Sequence, residues 1–173
     1  VHTFPFVDPA GLDALGIAAD DPRRETSRLL NPIAETEGVL RSSHIATLLR
    51  LVRENRSRQV DQLAIFEVSR VFHLEKAGEL PEERMRASAV ITRGEDRHLW
   101  QAESGAPVFY DAKGAAERLV RALGRPIRFV PSRDPEPYLH PGASADLLAG
   151  KQWVGLVGEL HPAVAARLEI DCP

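Results

Sequence analysis

Apolar residues recur at three- and four-residue intervals in two stretches of this chain, and alternate or run together in several others. Ile45, Leu48, Leu49 and Val52 fall at i, i+3, i+4 and i+7, one stripe of a helix over about 43–56, with Ser42 or Ser43 as N-cap. A second helix is predicted from Asp111, as N-cap, to Leu123. Ala115, Ala116, Leu119, Val120 and Leu123 form its buried face, and Gly124 and Pro126 stop it. Residues 63–72 (LAIFEVSRVF) are nearly continuous in apolar character, which predicts a central strand covered on both faces. After a polar link over 79–84, residues 86–92 form a further strand ending at Gly94.

The remaining pattern is shorter. Residues 1–7 read as an edge strand tolerant of Pro5. Asp8 then caps a short helix with Pro9 at its first position and Gly16 as its stop. Residues 26–30 suit a strand closed by Asn31-Pro32, and 127–130 another. The four prolines within 131–141 predict an ordered loop. Residues 143–148 and 152–159 predict a hairpin turning at Ala149-Gly150-Lys151, and His161-Pro162 opens a last helix with Val164 and Leu168 on its inner side. Strands outnumber helices and some follow one another directly. The expected fold class is therefore α+β, a largely antiparallel sheet flanked by helices, in one module over 1–173.

Composition narrows the function more than the fold. The chain has 173 residues, is 43% hydrophobic and 27% charged, and carries a net charge of −3. That balance suits a globular domain with a real core and lacks the basic excess of a dedicated nucleic-acid binder. No apolar run approaches the roughly 20 residues of a transmembrane helix, and no secretory core is visible. The single Cys172 cannot form an internal disulfide, so a cytoplasmic setting with no membrane partner is expected. Starting at Val1 and stopping at Pro173, the chain reads as a fragment of a longer one.

Little in it points to catalysis. The six histidines have no metal-ligand spacing, and no GxSxG or HExxH occurs, so no catalytic or metal residue is assigned. His140 and His161, each before a proline, suit capping or loop packing. Gly155 and Gly158 fit a strand packed closely against a helix better than a phosphate loop, since no Lys-Ser/Thr follows them. Arg50, Arg53, Arg56 and Arg58 form the densest positive feature. They suit either phosphates or partner carboxylates, or a solvated helix face balanced by Glu54. Glu67 and Arg70 sit inside the central strand and, if buried, must be paired.

Three stretches together resemble one family, the β subunit of bacterial phenylalanyl-tRNA synthetase. Residues 29–58 (LLNPIAETEGVLRSSHIATLLRLVRENRSR), with 63–72, resemble its Asn-Pro, acidic link, Leu-Arg-Ser-Ser step, helix ending Asn-x-x-Arg, and Phe-Glu-x-x-x-x-Phe strand. Gly94 with Trp100, then 109–124 (FYDAKGAAERLVRALG), are similar to its Phe-Tyr-Asp-x-Lys-Gly helix. Residues 138–162 carry Leu-His-Pro-Gly and Gly-x-x-Gly-Glu-Leu-His-Pro, the most distinctive of its signatures.

The resemblance implies the catalytic-like (B6–B7) module of that subunit, with a class II aminoacyl-tRNA synthetase-like core. In such an enzyme the α subunit attaches phenylalanine to tRNA(Phe) using ATP and Mg2+. The β module then packs against it in an (αβ)2 heterotetramer and holds no cofactor itself. A class II site needs an arginine in a Phe-Arg-x-Glu strand and another opening the last helix, to hold the ATP phosphates. Here the strand reads Phe66-Glu67-Val68-Ser69-Arg70, the Arg93-Gly94-Glu95 triplet falls at a strand end, and Glu159 stands where the late arginine belongs. The expected role is a non-catalytic scaffold. A stand-alone class II-like ligase, or a direct tRNA-backbone contact through the four arginines, are the alternatives.

Overall fold

The computed structural model describes residues 1–32, 34–76, 78–93 and 108–170. Among them the chain forms an α+β domain of four α-helices and small antiparallel sheets. Strands β1 (Phe6–Val7) and β2 (Val39–Leu40) make a short pair, with helix α1 (Ala10–Ala14) between them. Helix α2 (Ile45–Arg56) leads into a long hairpin of β3 (Leu63–His73) and β4 (Glu82–Thr92), paired from Leu63↔Thr92 to His73↔Glu82. Helix α3 (Phe109–Ala122) precedes a three-stranded sheet of β5 (Ile127–Pro131), β6 (Leu139–Ala149) and β7 (Gln152–Leu160), and α4 (Pro162–Arg167) follows.

Two apolar clusters hold these elements. The larger unites Leu15, Ile17, Leu49, Val52, Tyr138 and Val164, with Ile45, Ile65 and Val90 packed against them. It seats the predicted stripe of α2 on the inner side of the hairpin. The smaller places Ala145, Leu147 and Val157 of the second sheet against Phe109, Ala112, Ala116 and Val120 of α3.

Several boundaries and faces differ from the sequence expectation. The β3 strand is covered on one face only. Glu67 and Val71 are buried, whereas Phe66 and Val68, pointing the other way, are 64% and 53% exposed. A nearly continuous apolar run hid this alternation, because Glu67 belongs to the inner face and the phenylalanine to the outer one. The inner stripe of α3 is only half-buried and starts at Phe109, so Leu119 and Leu123 turn outward, 51% and 66% exposed. Asp111 is not the N-cap: it lies in the first turn and accepts hydrogen bonds from Arg93.

Strand β1 is confined to Phe6–Val7, and 26–30 contribute a single bridge, Arg28 to Val39. Strand β4 begins at Glu82, inside the expected polar link, because Phe72 and His73 find partners there. Strand β6 takes in Leu139 to Pro141 from the expected loop, and the ladder is irregular between Leu139 and Ser144, where a proline is tolerated. Helix α2 starts at Ile45 with His44 at the N-cap position, while Ser43 Oγ accepts from the Ile45 N–H at 3.3 Å.

Helix α1 starts at Ala10 with Pro9, not Asp8, at the N-cap position, while Asp8 Oδ1 accepts from the Ala10 N–H at 2.9 Å. Other expectations hold. Gly16, at φ +74°, ends α1. The β6–β7 turn uses Gly150 at φ +63°, a conformation other residues adopt at a cost. Gly158 is indeed closely packed, but against β6 rather than a helix: a Cβ there would meet the Ala143 carbonyl and Leu139 Cδ1 at 3.0 Å each.

Candidate functional site

The densest polar arrangement among the described residues is not named as a site from the sequence, although Arg41 and Glu67 both lie in stretches that carry the family resemblance. It is built around Arg41, which follows β2 and is only 2% exposed. Its backbone joins two elements: the Arg41 N–H donates to Pro5 O, and the Phe72 N–H of β3 donates to Arg41 O, both at 2.9 Å. That placement aims the guanidinium at the inner face of β3. Its Nη2 donates to Glu67 Oε1 at 2.8 Å and to Ser69 Oγ at 2.5 Å, Nη1 to Thr3 Oγ1 at 2.6 Å, and Nε to Arg70 O at 3.3 Å.

Hydrogen-bond accounting fixes the proton positions. Ionised Glu67 can only accept, so Thr3 and Ser69 must spend their single hydroxyl protons on it, at 2.6 and 2.8 Å. Ser69 Oγ then accepts from its third neighbour, His44 Nε2 at 3.0 Å, which must carry the ring proton. His44 Nδ1 is left bare and accepts from Ser88 Oγ at 3.1 Å. The chain of bonds ties the N-terminal segment, the start of α2 and both strands of the hairpin into one unit.

The electrostatics follow from the same geometry. Burial by itself raises the Glu67 carboxyl. The hydrogen bonds from Arg41, Thr3 and Ser69, with the Arg41 charge, outweigh it and bring the group from 4.5 to about 2. Burial, and then the Arg41 cation, push His44 below its ordinary 6.5, so the ring is neutral near pH 7. The pairing demanded for a buried Glu67 is therefore met by Arg41, not by Arg70, which is exposed and pairs with Glu83 at 3.0 Å. The signal was present in the sequence as the Leu40-Arg41-Ser42-Ser43 step, one arginine between a strand and a helix, but nothing local revealed which carboxylate it would meet.

The four arginines of the sequence expectation do not share one environment. Arg50 lies 3.7 Å from Glu37 and 3.9 Å from Glu54, the balanced surface face. Among the described residues no ion pair holds Arg53, Arg56 or Arg58, and Arg53 and Arg58 are exposed. His140 and His161 act as caps: each Nδ1 accepts the backbone N–H two residues on, from Gly142 and Ala163, at 3.1 Å, and the two rings stack at 6.1 Å. Gly94, Glu95 and Trp100 lie outside the described residues.

Glu159 has a definite structural task. Its Oε1 accepts from the Phe109 N–H at 2.9 Å, so a carboxylate of this chain occupies the N-terminus of α3. A helix N-terminus with free N–H groups favours an anion, and here the protein supplies one. Among the described residues no group of three or more His, Cys, Asp or Glu is placed to hold a metal ion, and no helix is long and apolar enough to cross a membrane.

The Arg41–Glu67 pair is thus turned inward, the Glu159 carboxylate sits at the start of α3, and Arg53 and Arg58 near the end of α2 are exposed. Residues 1–173 match throughout the family model described as the phenylalanyl tRNA synthetase beta chain CLM domain, and the chain belongs to that family. It is 38% identical over 98% of its length to the phenylalanine–tRNA ligase beta subunit of Symbiobacterium thermophilum, covering 19% of that protein. With the corresponding subunit of Geobacter metallireducens it shares 36% identity over 99% of the chain, covering 21% of the relative. For Syntrophus aciditrophicus the figures are 35%, 98% and 21%. The chain thus spans about a fifth of the length of these relatives.

Proposed function

We propose that this chain is the catalytic-like module of a phenylalanyl-tRNA synthetase β subunit, built on a class II synthetase-type core. Its work is to dock the catalytic α subunit in a cytoplasmic (αβ)2 enzyme, and it carries out no chemistry of its own. One observation carries the silent part of this reading. The carboxylate of Glu159 fills the N-terminus of α3, and Arg41 is consumed by Glu67, so a helix end and a cation that could have met a nucleotide's phosphates are spent on the fold. The binding of ATP, Mg2+ and phenylalanine is then left to the α subunit. Docking is supported by α2, whose start is locked by the Arg41 network while Arg53 and, just past the helix, Arg58 are exposed.

Co-expression with the matching α subunit, followed by size exclusion, tests the docking. The two chains co-elute on this reading, and Arg53→Glu weakens the association by roughly tenfold, the scale of a lost surface charge contact at an interface. Unchanged association of Arg53→Glu removes this helix face from the interface. ATP–pyrophosphate exchange by the purified chain, expected to be absent, would restore the stand-alone ligase.

The unpaired arginines also favour a second reading, a direct contact with the tRNA backbone. In that case affinity for tRNA(Phe) falls with salt, and removing one arginine lowers the slope of log K against log salt by about one unit. A slope unchanged by Arg53→Ala and Arg56→Ala excludes it.

A further inference from the structure

The outer face of the β3–β4 hairpin is apolar and uncovered. Ala64, Phe66 and Val68 stand opposite Ile91, Ala89 and Ala87, with Met85 beside them, and Phe66, Val68 and Met85 are 64%, 53% and 62% exposed. The face's charged residues, Arg70 and Glu83, neutralise each other at one end. Three large side chains in the open on one sheet face are unusual for a surface meant for water. Helix α2 packs on the other side of the hairpin, through Ile65 and Val90, so a partner seated on α2 does not reach this face without wrapping around the sheet.

Area decides what covers it. Seven residues of each strand, at about 3.3 Å per residue and 4.8 Å between strands, give a patch of about 23 by 10 Å, or about 230 Å2. A freely diffusing protein partner needs about 800 Å2 on each side, several times more. A neighbour on the same polypeptide needs far less, because the tether sets its effective concentration near millimolar. The matched relatives are about five times as long as this chain, so a neighbour of that kind has ample length to come from. We infer that the outer face of the β3–β4 hairpin is an intrachain interface, covered by an uncharged, apolar surface of another domain of the same β polypeptide.

The test uses the full-length β subunit assembled with α. A p-benzoylphenylalanine residue replaces Met85 or, separately, Val68, and the enzyme is irradiated after aminoacylation activity has confirmed the assembly. The expected product runs at the mass of a single β chain, and peptide mapping joins position 85 or 68 to β residues outside the segment equivalent to 1–173. A product of α-plus-β mass, a β–β product, or cross-links confined to these 173 residues would each overturn the inference. The same photoprobe at Arg53 reports on the docking reading separately, since it is expected to reach α whatever the hairpin face contacts.

Discussion

Replacing Arg41 by methionine removes the guanidinium while keeping a flexible apolar side chain of similar reach. In the native chain Glu67 is buried, yet its carboxyl is held at about 2 rather than 4.5. That lowering corresponds to about 3 kcal/mol of stability at neutral pH, most of it from charge and hydrogen bonds centred on Arg41. Breaking a buried ion pair from one side costs about 3–5 kcal/mol, an independent figure of the same size. With a urea slope of about 2 kcal/mol per molar, the unfolding midpoint of Arg41→Met should fall by at least about 1.5 M at pH 7, read by far-UV circular dichroism.

The pH dependence carries a sign. Glu67, lowered in the folded state, contributes stability that is present above pH 4.5 and lost as pH falls from 4.5 toward 2. In Arg41→Met, burial acts with less opposition and the carboxyl rises, so the deficit of the variant is largest at neutral pH and closes on acidification. Replacing both partners, Arg41→Met with Glu67→Leu, should recover much of the loss, because neither charge is then left buried alone. A loss below about 1 kcal/mol that does not change between pH 7 and pH 4 would refute the network as the lock of this fold.

Further outcomes follow from single contacts. His44, lowered by burial and by Arg41, stays neutral with the proton on Nε2 as pH falls through 6.5. 15N-detected NMR should show that tautomer, and the stability tied to it is present above pH 6.5 and declines below it. Gly158→Ala forces a Cβ to 3.0 Å from the Ala143 carbonyl and should lower stability by about 1–3 kcal/mol in thermal melts. Gly114→Ala, inside α3 with no atom within 4 Å of the new Cβ, should instead raise it by up to about 1 kcal/mol. Glu159→Gln weakens the carboxylate at the start of α3 and should cost about 0.5–1 kcal/mol, a loss that shrinks in high salt.

What could be read from the sequence divides by the range of the interaction. The helix over 43–56, the hairpin around Gly150 and the cap at His161 are dictated by neighbours within a few residues, and the structure places them close to expectation. The errors concern which face of an element meets something distant. Leu119 belongs to a plausible stripe of α3, but Phe109 and Ala112 start the real one and rotate Leu119 away. Phe66 in an apolar run reads as core until the strand is known to have one covered face. The Arg41 network joins residues 3, 41, 44, 67, 69 and 88, separations that no local pattern encodes.

That distribution bears on function. Two charged groups among the described residues are matched within the fold. Arg41 is spent on Glu67, Thr3 and Ser69, and Glu159 on the first turn of α3. Two of the exposed features among the described residues lie on opposite sides of the hairpin: the arginines of α2 and the apolar patch of Phe66, Val68 and Met85. Their chemistries differ, one suited to carboxylates or phosphates and the other to an uncharged protein surface. The interior network fixes α2 and the hairpin to each other, so the two faces are held at a set angle, and whatever binds them is held at that angle too. Under the docking role proposed above, a module of this construction acts by geometry: the rigid inside determines how the outside neighbours are spaced.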